Sequence, residues 1–237
     1  MTAAISAHRG GCEAAPAGTY DAYRHAVGVG AEYVEFDVRR TADGELVVYH
    51  DARPPGGEAV ADIGYARLSD LAGYDVPRAA DVMRLIAGRA VGHVDLKEPG
   101  AWPAVAGLAL DLLGAGNLMV TTGADAAVGA LRSRHPEVSA ALTLNASPGL
   151  PARSRGRHAA LLRRIRACHA DWVALHHRLA SARLLGKLQD QGIRAMVWTV
   201  NGDEMTARWL AAPGVDVVVT DHPARAIALR RRLRGEG

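Results

Sequence analysis

The sequence predicts one α/β domain, a (β/α)₈ TIM barrel that spans residues 1–237. Three observations predict it. Short β-branched or apolar runs alternate with Ala-rich helical stretches, each kind occurs eight times, and glycine or proline turns separate them. Because alternating strands and helices imply parallel strands joined by right-handed crossovers, eight repeats favour closure into a barrel over an open sheet.

The individual elements follow from residue period and from turn signals. Strands are predicted where apolar or β-branched residues form short runs, and helices where apolar residues recur at three- and four-residue intervals. Turn signals such as Gly192 and Pro213-Gly214 separate neighbouring elements. The strands are predicted at residues 3–7, 33–38, 91–96, 118–122, 138–144, 172–175, 193–200 and 215–220. The helices are predicted at residues 19–29, 79–87, 101–113, 124–134, 157–168, 182–191, 204–211 and 224–233.

One feature interrupts the alternation after the second strand. The turn Ala42-Asp43-Gly44 and the short run at residues 46–49 predict a β-hairpin whose second arm returns along that strand. Residues 51–64, which include Pro54-Pro55-Gly56-Gly57, are predicted to form a loop at the mouth of the barrel.

Composition and charge argue against several classes of protein. The chain has 237 residues, 49% apolar and 22% charged, which is typical of a globular protein. A net charge of +3 is mild, and the arginine-rich stretches at residues 153–166 and 230–234 lack interleaved aromatics, so no specific nucleic-acid partner is expected. Cys12 and Cys168 are too few for a disulfide scaffold. Because the sequence shows neither a secretory signal nor an apolar run near the roughly 18 residues of a membrane span, a cytoplasmic protein is expected.

Functional side chains gather where the predicted strands end. In (β/α)₈ barrels the catalytic groups lie at the C-terminal ends of the strands. Here those ends are rich in polar residues, whereas the N-terminal ends of the strands have few such residues. This asymmetry predicts a binding or catalytic site at the mouth of the barrel. The residues at these ends include His8, Arg9, Glu35, Asp37, Asp95, Lys97, Thr121, Thr122, Asn145, His176, His177, Trp198, Asn201, Thr220 and Asp221.

Three of these residues are carboxylates expected on neighbouring strands. Glu35 and Asp37 are two positions apart, so both point to one face of their strand, and the apolar residues between them should face the helices. Asp95 has the same arrangement on the next barrel strand. Three inward carboxylates would repel one another unless a cation lies among them, and oxygen ligands suit one Mg²⁺ or Ca²⁺ ion. The alternative is a structural ion-pair network with Lys97 and Arg9.

Six short motifs occur in an order and spacing that resemble the glycerophosphodiester phosphodiesterase family, one of the phospholipase C-like phosphodiesterase barrels. The resemblance covers essentially the whole chain, and it implies the same barrel fold. The motifs are His8-Arg9-Gly10, Glu35-Phe36-Asp37-Val38, Thr41-Ala42-Asp43-Gly44, Val47-Val48-Tyr49-His50-Asp51, Asp95-Leu96-Lys97 and Val197-Trp198-Thr199-Val200-Asn201.

The resemblance also implies an activity and residue roles. The activity is metal-dependent hydrolysis of glycerophosphodiesters, which are small soluble molecules, to glycerol 3-phosphate and an alcohol through a cyclic phosphate. Carried over by position, His8 and His50 are the acid–base pair. Glu35, Asp37 and Asp95 are metal ligands. The remaining expected substrate contacts are Arg9 and Lys97 to phosphate and Trp198 to the glycerol carbons.

The sequence departs from the family pattern at two places. Where the family usually has Pro-Glu-Asn-Thr, this chain has Pro16-Ala17-Gly18-Thr19, and nearby Glu13 is a candidate substitute for the missing glutamate. The ligand of the third barrel strand is commonly glutamate in the family and is Asp95 here, as in the sphingomyelinase D-like phospholipases. Two alternatives therefore stay open: a phospholipase D-like enzyme acting on lipid head groups, and a barrel that binds a phosphorylated ligand without hydrolysing it.

The remaining histidines and cysteines have less specific interpretations. His93 shares the face of Asp95 but lies deeper, so a hydrogen-bonded core position is expected. His176 and His177 end the sixth predicted strand, where a core role and a role in the site are both open. Cys12 lacks an evident orienting partner for nucleophilic catalysis, and Cys168 is expected to be structural.

Overall fold

The computed structural model describes residues 2–146 and 155–236, and within them the chain forms a closed barrel surrounded by helices. Arg153 of the first arginine-rich stretch lies outside the described residues. The strands are β1 (Ala4–Ala7), β2 (Tyr33–Arg40), β3 (Leu46–Val48), β4 (Val91–Leu96), β5 (Leu118–Thr122), β6 (Ser139–Leu144), β7 (Trp172–His176), β8 (Arg194–Trp198) and β9 (Val217–Thr220). The helices are α1 (Tyr20–Gly28), α2 (Tyr65–Ala72), α3 (Ala79–Ile86), α4 (Trp102–Leu113), α5 (Asp125–Arg134), α6 (Arg155–Ala167), α7 (Ala182–Gln189), α8 (Asp203–Leu210) and α9 (Pro223–Leu233).

Eight parallel strands close the barrel. Each of them pairs with the next around the ring, and β1 pairs with both β2 and β9, which joins the two ends of the sheet. The remaining strand, β3, lies outside the ring, runs antiparallel to β2 and forms the predicted hairpin arm. This arrangement confirms the predicted (β/α)₈ barrel. No helix in the described ranges is long and apolar enough to cross a membrane.

Alternation along the strands separates two apolar layers. On β2, the side chains of Val34, Phe36 and Val38 are almost fully buried against the helices, as predicted. The residues between them point to the barrel interior, whose lower part is filled by Met119, Trp172, Met196 and their neighbours. Because this plug fills the lower barrel, the inward carboxylates lie above it, at the C-terminal mouth.

The structure contains one helix that the sequence interpretation missed. Helix α2 begins after Gly64 and ends at Ala72, and the next residue, Gly73, has a φ of 76°, the left-handed conformation common after a helix. Its buried Leu68 packs with Val47 of the hairpin and with Val60 of the mouth loop. The helix therefore belongs to a small separate core beside the barrel. Several strands are also shorter than predicted: β8 covers Arg194–Trp198 rather than residues 193–200, and β9 covers Val217–Thr220 rather than residues 215–220.

Candidate active site

The three predicted carboxylates converge at the mouth of the barrel. Asp37 of β2 lies directly opposite Asp95 of β4 in the parallel ladder, and Glu35 is one inward position deeper on β2. Each residue offers one oxygen, and these oxygens all lie within 4.8 Å of one another. Glu35 and Asp37 are 4% and 2% exposed, so their charges are largely removed from water.

Two cationic side chains neutralise Asp37. Lys97 Nζ lies 2.9 Å from Asp37 Oδ1 and also contacts Asp95 Oδ2. Arg9 Nε lies 3.2 Å from Asp37 Oδ2 as an ion pair, although its N–H is not aligned for a hydrogen bond. Burial would raise the pKa of Asp37, but the two cations outweigh burial and hold the pKa below its usual value. The ion-pair network considered from the sequence thus exists around Asp37.

Glu35 is the carboxylate that this network leaves without a cation. Its Oε2 accepts a hydrogen bond of 2.7 Å from the backbone N–H of Arg9, and no Lys or Arg side chain in the described part of the chain forms an ion pair with it. Burial, followed by repulsion from Asp37, raises the pKa of Glu35 to about 8. Three converging carboxylates, one of which loses its proton only with difficulty unless a cation is near, fit a divalent cation such as Mg²⁺ or Ca²⁺.

His8 stands beside this cluster at the end of β1. Its Nδ1 lies 2.6 Å from Asp221 Oδ1, and Asn201 Nδ2 donates to the other oxygen of Asp221, also at 2.6 Å. Burial would lower the pKa of His8, but the hydrogen bond to Asp221 and the charge of Glu35 outweigh it and raise the pKa. With Nδ1 engaged, Nε2 is the ring nitrogen left for a ligand in the cavity.

His50 lies two residues after the end of β3. Its Nδ1 is 2.6 Å from Asp51 Oδ1, so the two histidines have the same kind of carboxylate partner. Its side chain is 41% exposed, compared with 21% for His8. Both histidines line one cavity of about 640 Å³ together with the three carboxylates. The structure therefore brings together the predicted acid–base pair and the predicted metal ligands.

Unusual backbone conformations shape the turn that carries His8 and Arg9. Arg9 has a φ of 51°, which is uncommon for a residue with a side chain. Gly10 has a φ of 79°, and a Cβ on it would lie 2.8 Å from the backbone carbon of Ala22 on α1. The turn thus packs directly on α1, and in this conformation the N–H of Arg9 reaches Glu35.

One half of the departure from the family pattern before α1, Gly18 in place of asparagine, has a conformational explanation. Gly18 has a φ of 81°, and its N–H donates to the carbonyl of Arg9 at 2.8 Å. Asparagine, which the family usually has here, and glycine are the residues that most readily adopt this left-handed conformation. Glu13 does not replace the missing glutamate, because its carboxylate accepts from the backbone N–H groups of Ala224 and Arg225 at the start of α9.

Two further residues considered in the sequence analysis, Trp198 and His93, lie in different surroundings. Trp198 lines the cavity on the side opposite the carboxylates, as do Thr143 and Asn145. His93 is a core residue, as predicted: it contacts Ser6 and Thr121, and burial lowers its pKa to about 3.

Neither His176 nor His177 lines the cavity. His176 instead packs edge-on against Trp198 at 5.2 Å between ring centroids. Cys12 is exposed, and Cys168 is buried as expected. The roles of Asp221 and Asn201 were missed, although both stand at predicted strand ends. Closure of the barrel brings the end of β9 beside β1, and this adjacency was the available signal.

Comparisons with known proteins agree with this geometry. The chain is 27% identical over 237 residues to YhdW of Bacillus subtilis, which is provisionally named a glycerophosphodiester phosphodiesterase (92% of this chain and 94% of the relative). A glycerophosphodiester phosphodiesterase structure from Parabacteroides distasonis superposes with a TM-score of 0.80 at 20% identity, covering 98% of each chain. A phosphodiesterase of Oleispira antarctica, solved with its product sn-glycerol-3-phosphate, has a TM-score of 0.77 at 18% identity and covers 96% of each chain.

At such identities the solved structures show the common fold. The model of the glycerophosphoryl diester phosphodiesterase family matches residues 8–99 and 105–225, which include every predicted site residue. The chain therefore belongs to the glycerophosphoryl diester phosphodiesterase family.

Proposed function

We propose that this protein hydrolyses glycerophosphodiesters to glycerol 3-phosphate and an alcohol, using one divalent cation and two histidines. The observation that carries the proposal is that His8 and His50 line the same cavity as the converging carboxylates Glu35, Asp37 and Asp95. The Oleispira antarctica relative, which binds sn-glycerol-3-phosphate as its product, supports this class of substrate.

The charged half of the cavity suits the phosphodiester anion. Glu35, Asp37 and Asp95 would hold the cation, which would neutralise charge developing on the nonbridging oxygens. Arg9 and Lys97 line the same half, so their remaining N–H groups can donate to those oxygens.

The two histidines would divide the proton transfers. The hydrogen bond to Asp221 raises the pKa of His8, so His8 stays protonated to higher pH than a free imidazole and is assigned as the donor to the departing alkoxide. His50 would remove the proton of the glycerol 2-hydroxyl as that oxygen attacks phosphorus. The products of this step are a cyclic phosphate and the free alcohol. In the second step the roles reverse: His8 takes a proton from water, and His50 returns one to the 2-oxygen.

The uncharged half of the cavity suits the glycerol. Its lining from β5, β6 and β8 is neutral and includes Thr143, Asn145 and Trp198. The indole face of Trp198 would pack against the glycerol carbons, while hydroxyl and amide groups can bond to the glycerol hydroxyls.

A substrate panel tests the proposal. The purified protein would be incubated with glycerophosphocholine, glycerophosphoethanolamine, glycerophosphoglycerol and a lysophospholipid, each with Mg²⁺ or Ca²⁺, and products would be followed by phosphorus NMR. We expect glycerol 3-phosphate from the soluble diesters. Turnover of the lysophospholipid alone would instead establish the phospholipase D-like alternative, and binding without turnover would establish the non-catalytic one.

A further inference from the structure

Arg39 contacts the backbone of His50 through two nitrogens of one guanidinium group. It stands on β2 two residues after Asp37, and its side chain is only 12% exposed. Nε and Nη2 donate to the carbonyl oxygen of His50 at 3.1 and 2.9 Å. Nη1 lies 3.4 Å from Glu98 Oε1. The neighbouring Arg40, by contrast, is exposed.

The segment that carries His50 has few other attachments. The N–H of Tyr49 donates a hydrogen bond to the carbonyl of Asp37 at 3.0 Å. The next main-chain hydrogen bond along this segment is made by the carbonyl of Ala52, which accepts from the N–H of Val60. Within the described ranges, no side chain other than that of Arg39 hydrogen-bonds to the main chain of residues 49–52. Arg39 therefore supplies the side-chain hydrogen bonds to the His50 backbone at the point where the hairpin ends and the mouth loop begins.

Glu98 extends this contact to the strand that carries Asp95 and Lys97. Its Oε1 pairs with Arg39, and its Oε2 accepts from the backbone N–H of Arg40 at 3.3 Å. Glu98 directly follows Lys97, so the Arg39–Glu98 pair connects the end of β4 to the loop that bears His50. A guanidinium group is suited to this task because its donors point in fixed directions.

We infer that Arg39 is a positioning residue for His50, holding the imidazole in register with Lys97, the proposed phosphate contact at the end of β4. The inference rests on the proposed role of His50. Because Arg39 acts on the backbone of the loop rather than on the substrate, its loss affects the proton transfer more than substrate binding. Displacement of a catalytic group by about 1 Å can cost roughly 10²-fold in rate.

Substitutions at Arg39 test this inference, with Arg40→Gln as the matched control on the same strand. For Arg39→Gln we expect kcat to fall by about 10-fold or more while KM changes by less than about 3-fold. Arg39→Lys keeps the charge but not the two-point contact, so an intermediate kcat is expected. Arg40→Gln leaves both constants unchanged. A rise in KM with kcat preserved, or equal effects of Arg39→Gln and Arg40→Gln, overturns the inference.

Two further measurements show whether Arg39 acts through His50. In a His50→Ala background, Arg39→Gln should change the residual rate by less than about 2-fold, because the group that it positions is already gone. Amide hydrogen exchange of residues 49–59 should be faster in Arg39→Gln than in Arg40→Gln, and this holds whether or not His50→Ala retains a measurable rate. Unchanged exchange overturns the inference. Full activity of His50→Ala would instead refute the proposed catalytic role of His50, and no turnover of any diester by the wild type would refute the proposed function, so these failures are distinguishable from that of the inference.

Discussion

Asp221 Oδ1 lies 2.6 Å from Nδ1 of His8, although the two residues are 213 positions apart in the sequence. The contact exists because β1 pairs with β9 and thereby closes the barrel. Asn201 holds the second oxygen of Asp221, so the carboxylate is fixed from both sides. A residue near the end of the chain thus contributes to the raised pKa of a histidine near its beginning.

Replacing Asp221 should change the pH dependence of activity. Because the partner raises the pKa of His8, the protonated acid persists to higher pH, and activity is lost only as pH rises through that raised pKa. Asp221→Asn removes the charge, so the alkaline limb of kcat/KM should move to lower pH. Profiles measured between about pH 5 and pH 9 check this. Asp203→Asn, at an exposed ion pair with Arg225, is the control; equal profiles for the wild type and Asp221→Asn would contradict the expectation.

The stability of the metal-free protein should decrease with rising pH because of Glu35. Its pKa is raised from 4.5 to about 8, so the folded state retains a proton that the unfolded state has lost. The contribution of Glu35 to the free energy of unfolding is complete at pH values below its pKa in the unfolded state. That contribution is lost as pH rises through its pKa in the folded state. Thermal unfolding in EDTA from pH 5 to pH 9 should show this decline, and Glu35→Gln should reduce it. Added Mg²⁺ or Ca²⁺ should restore the stability of the wild type at high pH but not that of Glu35→Gln.

Removing either imidazole should nearly abolish turnover. For His8→Ala and for His50→Ala we expect kcat to fall by at least roughly 10²-fold, because general acid–base catalysis contributes roughly 10²–10⁴-fold. The matched control is His135→Ala, at the end of α5 and beside Glu137, away from the cavity. Steady-state kinetics on a soluble diester measure all three. A fall of less than 10-fold for either cavity histidine would exclude it from proton transfer.

Gly10 should be irreplaceable for packing as well as for conformation. Gly10→Ala places a Cβ 2.8 Å from backbone atoms of α1 at a φ of 79°, so strain and overlap combine. Gly30→Ala has a similar φ of 81° but open space around its Cβ, and therefore isolates the conformational part. We expect a loss of unfolding free energy of about 1 kcal/mol for Gly30→Ala and about 2–4 kcal/mol for Gly10→Ala, measured by urea denaturation. Equal losses would show that α1 moves away at little cost.

The sequence was sufficient for the barrel and for the convergence of its carboxylates. Both follow from local periodicity: strand–helix alternation defines the fold, and the two-residue period of a strand points Glu35 and Asp37 to one face. The roles of His8 and His50 came instead from family resemblance, because no periodicity distinguishes a catalytic histidine from the core residue His93.

Features that depend on the path of loops were not predictable in this way. Helix α2 was missed because it packs on the hairpin rather than on the barrel, so it lies outside the strand–helix alternation. Glu13 is near the site in sequence but points to the start of α9. The contact of Arg39 with the His50 carbonyl depends on how the segment after β3 returns over β2, which side-chain patterns do not encode.

Release of glycerol 3-phosphate from glycerophosphocholine, compared between metal-free protein and protein supplied with Mg²⁺ or Ca²⁺, tests most directly whether the carboxylate cluster and the two histidines act as one site. We expect no more than background release in EDTA, restoration by added cation in the wild type, and no restoration in Glu35→Gln. Equal release with and without chelator, or full restoration in Glu35→Gln, would contradict the proposed metal role of the cluster.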